Sequence, residues 1–302
     1  MTITPTKPAR SAGAGETVLV SAHRGGCGRD PRVENTWAAF EAAVQMPCEY
    51  IEFDVNRTVD GEFVIHHDHQ VTIDGRRVRV DQIPAATLDA AVGRRVRLLE
   101  VLDLLKAHDK KAHLDLKFTS PAAAYAIPAA TFEVEAAEIV AEALPRGAYV
   151  FTTVEDKSVR VLRDWADHAG VDVLCGLTVG RRLHGLGVWS SVTTRFGEMF
   201  PGHRVRRSRA NLVVAQRHLA RFRLLSWAHK RGLPVLVWTV DNQKEMRRLL
   251  ADERVWLVTS NRPMDAVALR WARLGRPHRP AAAAAALPSP SAPLLRRTPQ
   301  AV

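Results

Sequence analysis

Eight short apolar runs, at 18–22, 50–55, 113–116, 148–152, 171–177, 211–215, 234–240 and 255–258, set the architecture open to this chain. A further extended run lies at 62–66. Between most of them apolar residues recur at helical spacing, over 36–44 (with Trp37, Phe40 and Val44 on one face), 98–105, 132–143, 158–166, 219–230, 243–250 and 265–274. Short buried strands alternating with crossover helices predict a parallel sheet. Eight such units in about 250 residues are the repeat of a (β/α)₈ TIM barrel. A doubly wound open sheet would need a Gly-x-Gly-x-x-Gly turn after its first strand, and here that strand runs into His23-Arg24-Gly25-Gly26. The expected fold is therefore an α/β single-domain barrel over 17–275. The flanks at 1–16 and 276–302, the latter an Ala/Pro/Arg-rich tail, cannot supply a core and are expected to be disordered.

Composition removes several function classes. Three cysteines among 302 residues cannot build a disulfide framework. No run reaches the roughly 18 apolar residues of a membrane span, and the first residues lack a signal-peptide core. A cytoplasmic protein is expected. The net charge of +11 points to an anionic partner, whether nucleic acid, membrane surface or substrate. Its location narrows the choice. Residues 181–209 hold seven arginines against Glu198, and the tail holds four arginines and no acid. With 1–16 also set aside, the remainder is close to neutral.

The chemistry-bearing residues fall where strands end, which is where barrel enzymes keep their sites. His23 and Arg24 follow the first run. Glu52 and Asp54 lie two apart on the second and so share one face. His66-His67-Asp68-His69 ends the extended run, Asp115 and Lys117 end the third, and Trp238 ends the seventh. Singly, each reads as a cap, an ion-pair partner or a satisfied core residue. Jointly, three carboxylates suit an oxygen-preferring cation, Mg²⁺ or Ca²⁺. Arg24 and Lys117 suit a phosphate, and two histidines can act as general acid and base near neutral pH. Together they are equipment for cleaving a phosphodiester.

The ordered motifs resemble the glycerophosphodiester phosphodiesterase family, of the phospholipase-C-like barrel superfamily. They are His23-Arg24-Gly25, Glu34-Asn35-Thr36 with Ala39-Phe40, Ile51-Glu52-Phe53-Asp54-Val55, Thr58, Asp60-Gly61 and His67-Asp68. Leu98-Leu99-Glu100-Val101-Leu102, Asp115-Leu116-Lys117 and Val237-Trp238-Thr239-Val240 continue the likeness to about residue 265. The resemblance implies metal-dependent hydrolysis of glycerophosphodiesters to sn-glycerol 3-phosphate and an alcohol. It makes His23 and His67 the acid/base pair, and Glu52, Asp54 and Asp115 the ligands of one divalent cation. Arg24 and Lys117 become phosphate contacts, Trp238 a wall of the substrate pocket, and Glu34 a supporting residue near His23. His66 and His69 are expected to point away or lie in the loop.

Three departures from the family pattern stand out. Asp115 replaces the more usual Glu, as in relatives with sphingomyelinase-D-like chemistry. Ser260-Asn261-Arg262-Pro263 replaces Thr-Asp-x-Pro, which removes a negative charge. The segment after His67 is short, so no inserted small domain is expected and the site should be open. Residues 181–209, with Trp189, Phe196, Met199 and Phe200 among the arginines, read either as a basic rim for anionic lipid or as a crossover helix with a solvated face. Cys27 reads as incidental. The rival functions are a lysophospholipase-D or sphingomyelinase-D-like activity on lipids, and a catalytically silent barrel that binds anionic partners. No nucleic-acid motif supports the last.

Overall fold

The computed structural model describes residues 17–28, 30–180, 201–221 and 223–275. Its strands in chain order begin with β1 (Leu19–Ala22), β2 (Tyr50–Arg57), β3 (Phe63–Ile65), β4 (Gln70–Ile73) and β5 (Arg76–Arg79). They continue with β6 (Lys111–Leu116), β7 (Tyr149–Thr153), β8 (Leu174–Val179), β9 (Leu212–Gln216), β10 (Val235–Trp238) and β11 (Leu257–Ser260). Parallel pairing runs from β2 through β6, β7, β8, β9 and β10 to β11, which pairs with β1. β1 in turn pairs with β2, in parallel, and closes the ring. The fold is a TIM barrel, and each of the eight apolar runs supplies one of its strands. The extended run at 62–66 becomes β3, antiparallel on the outer part of β2.

Alternation along the strands sorts side chains into two layers. Ile51, Phe53 and Val55 of β2, Ala112, Leu114 and Leu116 of β6, and their equivalents around the ring pack outward against the helices. The opposite parity points into the barrel. There Tyr50, Val150, Leu212, Val214, Leu236 and Leu257 form an apolar plug. Each fully buried large side chain contributes about 1.5–3 kcal/mol. Further along the same strands, interior positions become polar: Ser21, Glu52, His113, Thr152 and Thr259 are all buried. That switch from apolar to polar places the site at the ends of the strands.

The helices largely follow the expected periodicity. Helices Phe132–Ala143 and Gln243–Leu250 match the periodic stretches, with Thr131 and Asn242 capping their first turns. In helix Trp37–Val44 the buried face is Ala39, Phe40, Ala43 and Val44, and Trp37, in the first turn, is 39% exposed. The stretch 219–230 is not one helix. It forms a 3₁₀ turn, Leu219–Arg221, and helix Leu224–His229, with Arg221 drawn into an ion pair with Glu245.

The segment after His67 also departs from expectation. β4 and β5 form a hairpin closed by Asp74-Gly75, both at positive φ (49° and 75°), as a tight hairpin turn requires. With helix Ala85–Val92 it builds a satellite core of Val64, Val71, Val80, Ile83, Ala85 and Leu88. The run 71–75 alternates like a strand, but a hairpin this short buries little without that helix. No helix among the described residues is long and apolar enough to cross a membrane.

Candidate active site

The chain leaves β1 through three consecutive residues at positive φ, Arg24 (49°), Gly25 (86°) and Gly26 (71°). A Cβ on Gly25 would lie 2.8 Å from Ala39 Cβ, and one on Gly26 2.7 Å from Pro263 Cγ, so conformation and space both demand glycine. Arg24 has a Cβ and adopts the left-handed region all the same. Its N–H donates to Glu52 Oε2 at 2.7 Å and its carbonyl accepts from the Asn35 N–H at 3.1 Å. Its guanidinium donates through Nη1 to Glu34 Oε2 at 2.6 Å and sets Nε 2.8 Å from Asp54 Oδ2. Backbone strain of this kind concentrates at functional sites.

Asp54 of β2 sits in register with Asp115 of β6. One carboxylate oxygen from each of Glu52, Asp54 and Asp115 lies within 4.8 Å of the other two. Lys117 Nζ is 3.0 Å from Asp54 Oδ1 and also pairs with Asp115. Asn35 Nδ2 donates to Asp54 Oδ2 at 2.8 Å. The charges are unevenly balanced. Burial alone would raise the Asp54 pKa, but Lys117 and Arg24 outweigh it and hold the carboxyl well below its ordinary value. Burial, reinforced by Asp54, pushes Glu52 well above the usual carboxylate range. A buried carboxylate beside a second one, with its charge incompletely met, is a place a cation fits. The all-oxygen donors match Mg²⁺ or Ca²⁺ chemistry.

The two histidines are held differently. His23 Nδ1 lies 2.6 Å from Asn261 Oδ1. Asp241 accepts from Asn261 N and Nδ2, both at 2.9 Å, which turns the amide oxygen toward the imidazole. The proton therefore sits on Nδ1 and leaves Nε2 as a lone pair, 3.9 Å from Glu52 Oε2. Burial and the Arg24 charge lower the His23 pKa, with Asp54 acting against them. His67 is 44% exposed and pairs through Nδ1 with Asp68 Oδ1 at 2.8 Å. Its loop is clamped by buried Asn56, whose Nδ2 donates to the carbonyls of His66 (2.9 Å) and Asp68 (3.1 Å). The charges of both His23 and His67 reach Asp54.

Beneath the carboxylates lies a polar chain that no motif signals. Thr152 Oγ1 donates to Asp115 Oδ1 at 3.0 Å, and His113 Nε2 lies 3.1 Å from the same hydroxyl. A hydroxyl has one proton, so His113 donates there through Nε2, and its Nδ1 accepts from Ser21 Oγ at 3.3 Å. Burial pushes the His113 pKa down to about 4, so the ring stays neutral near neutral pH.

Among the residues expected from sequence, His23, Arg24, Glu34, Glu52, Asp54, Asp115 and Lys117 converge through these contacts, with His67 at the mouth. Glu34 bonds directly to Arg24 rather than to His23. Trp238, at the end of β10, packs on the apolar plug with its indole N–H buried and unpaired among the described residues. His66 Nε2 is likewise unpaired among them, and burial lowers the pKa of both His66 and His69. Burial, then Glu34, pushes the Cys27 thiol up to about 11, which removes it as a nucleophile near neutral pH. Trp189, Phe196, Met199 and Phe200 lie outside the described residues, as do 1–16 and 276–302. Of the arginines at 204–209, Arg204 pairs with Asp156, and Arg209 with Asp164 and Asp167.

Asn35, Asn56, His113, Thr152, Asp241 and Asn261 complete the arrangement. Asn56 and His113 were accessible from alternation alone, since each lies two residues from a site carboxylate on the same strand.

A glycerophosphodiester phosphodiesterase of Caldanaerobacter subterraneus subsp. tengcongensis is 26% identical over 248 residues, covering 77% of this chain and 89% of that one. An Oleispira antarctica phosphodiesterase, solved in complex with the product sn-glycerol-3-phosphate, superposes with a TM-score of 0.61 at 19% identity, over 84% of this chain and 96% of that one. A Parabacteroides distasonis glycerophosphodiester phosphodiesterase reaches a TM-score of 0.65 at 15% identity, over 85% and 98%. At those identities the two structures show the fold. The profile of the glycerophosphoryl diester phosphodiesterase family matches residues 23–262, and the chain belongs to that family.

Proposed function

We propose that this barrel hydrolyses glycerophosphodiesters to sn-glycerol 3-phosphate and an alcohol, with His23 and His67 moving the protons. The observation that carries this reading is the meeting of Glu52, Asp54 and Asp115 with Arg24, Lys117 and two histidines at one end of the barrel. The family match and the product bound by the Oleispira relative support the substrate class.

Glu52, Asp54 and Asp115 would hold one divalent cation, Mg²⁺ or Ca²⁺, whose charge would neutralise and orient the phosphoryl oxygens. Arg24 and Lys117 are the cations placed to bind the same phosphate. Trp238, at the end of β10, would form a wall of the substrate pocket on that side. His23, neutral and with Nε2 free, takes a proton from the attacking hydroxyl as its oxygen bonds to phosphorus. His67, at the open mouth, gives a proton to the alcohol oxygen as that P–O bond breaks. Glu34 holds the Arg24 guanidinium in place. A water nucleophile gives glycerol 3-phosphate directly, and the substrate's own 2-hydroxyl would give a cyclic phosphate first.

Release of glycerol 3-phosphate should be measured across glycerophosphocholine, glycerophosphoethanolamine and glycerophosphoglycerol, with and without EDTA. We expect turnover that EDTA abolishes, and a loss in kcat of about 10²–10⁴ for His23→Ala and for His67→Ala. Turnover unchanged in both variants would remove the proton-transfer roles. Cleavage of lysophospholipid or sphingomyelin with no glycerophosphodiester turnover would move the protein to lipid substrates, a direction in which the shorter Asp115 points.

A further inference from the structure

A second site lies on the same face of the barrel, between the loop after β9 and helix Gln243–Leu250, which follows β10. Here a cavity of about 820 Å³ is lined by Arg217, His218, Arg221, Lys244, Glu245 and Arg248. The near-neutral average of the barrel conceals this concentration. Residues 210–250 contain eight Lys and Arg against only Asp241 and Glu245.

The cavity combines fixed and free cations. Glu245 is buried, its side chain 8% exposed; Arg217 Nη1 donates to one of its oxygens at 3.2 Å and Arg221 pairs with the other. That single carboxylate holds two guanidiniums side by side without neutralising both. Lys244 and Arg248, one helical turn apart, make no direct ion pair among the described residues, and neither does His218; the Arg248 charge reaches Asp252, which already pairs with Arg254. Asn242 Oδ1 already accepts from the N–H groups of Lys244 (3.0 Å) and Glu245 (3.2 Å). Side chains therefore make this site, and the helix N-terminus does not. Four cations against one acid leave an excess of positive charge facing a concave space. Arg221, Lys244 and Arg248 are exposed and Arg217 is half-buried, so their charged ends are open to a ligand entering from solvent. Their convergence, with two planar forks held by a buried acid, matches the oxygens of a phosphate dianion. The volume is that of a small-molecule site and leaves room for an organic group on the phosphate. The Arg217 N–H donates to the Trp238 carbonyl at 2.8 Å, tying the cavity to the rim of the active site.

We propose that this cavity is a second anion site, distinct from the carboxylate-lined centre, which binds a phosphomonoester through Arg217, Arg221, Lys244 and Arg248. The inference stands whether or not the barrel cleaves glycerophosphodiesters. The phosphomonoester could belong to a soluble metabolite or to a lipid headgroup, and the arms of the test separate the two.

Calorimetric titration of the full chain with inorganic phosphate provides the test. Wild type should show two binding events. Lys244→Gln/Arg248→Gln should weaken one by about tenfold or more and leave the other, which Arg24→Ala should weaken instead. As a control, Arg76→Gln/Arg77→Gln removes the same charge from the β4–β5 hairpin and should leave both intact. Equal phosphate binding by wild type and Lys244→Gln/Arg248→Gln would overturn the proposal, as would an equal loss in the control variant. Where the phosphate effect is found, co-sedimentation with phosphatidylcholine vesicles containing phosphatidic acid assigns the source. Sedimentation that needs Lys244 and Arg248 identifies a lipid headgroup, and binding of free phosphate alone identifies a soluble ester.

Discussion

His23 is positioned by the side-chain amide of Asn261. From sequence, Asn261 reads as a lost charge. The structure puts a carboxylate one hydrogen bond further back, on Asp241, which grips Asn261 through main chain and side chain from 20 positions earlier in the chain. His23 and Asn261 are 238 positions apart, and no periodicity reveals such a contact. Arg24, Glu52 and Asp54 were legible because motif and strand alternation agree on them. With burial and Arg24 lowering its pKa below 6.5, His23 stays neutral into mildly acidic solution, and the acid limb of kcat/KM should fall below that pH. Asn261→Asp puts a carboxylate against Nδ1, favours the protonated ring and should move the limb to higher pH. A pH–rate profile unchanged by the substitution would count against His23 as the base. Thr152 acts one step behind Asp115. Thr152→Val keeps the shape and removes the proton donated to the carboxylate, so divalent-cation affinity should fall by about 10–100-fold. Calorimetric titration with Mg²⁺ and Mn²⁺ reads this without reference to turnover.

Among the elements, β2 does most to organise the site. Its outward residues anchor it to the helices, while Glu52, Asp54 and Asn56, on the other parity, supply two site carboxylates and the clamp on the His67 loop. The eight strands were legible as short, continuous apolar runs, and most helices by a period of 3.6 in apolar residues. The hairpin–helix satellite was not, because its core is small and forms only when separate short pieces meet. It is fastened to the barrel side by Arg97, which donates to Asp89 Oδ2 at 2.7 Å. Burial would raise the Asp89 pKa, but the Arg97 hydrogen bond and the Arg95 N–H outweigh it and hold it below 3.8. A depressed carboxylate stabilises fully above its unfolded value and loses that contribution as pH falls through the folded one. Hydrogen exchange in helix Ala85–Val92 should therefore accelerate below about pH 3.8, and Asp89→Asn should show the same loosening at neutral pH. Exchange rates equal to wild type at neutral pH would mean the latch carries no load. Within the barrel, a Cβ on Gly176 of β8 would lie 2.6 Å from Val214 Cγ2 and 2.9 Å from Leu212 Cδ2. Gly176→Ala should overpack the plug and cost about 1–3 kcal/mol in urea unfolding, with little change in the site above it.

For the molecule as a whole, the number of units foretold the barrel, whereas net charge gave little guidance to where charge is used. Acids gather at the strand ends, and cations gather beside them in the cavity between the loop after β9 and helix Gln243–Leu250. Summing over the chain erased that contrast. The pairing of β1 with both β2 and β11 has a consequence for a chain made from its N-terminus. Until residues 257–260 emerge, β1 presents a bare row of backbone donors and acceptors on one side and β10 presents another. Only the last strand covers both, and with it Arg270 reaches back to the Val18 carbonyl at 3.2 Å and Glu49 Oε2 at 2.8 Å. A nascent or truncated chain that stops short of β11 thus carries two adhesive edges, and the hazard of self-association ends with the final strand, not gradually along the way.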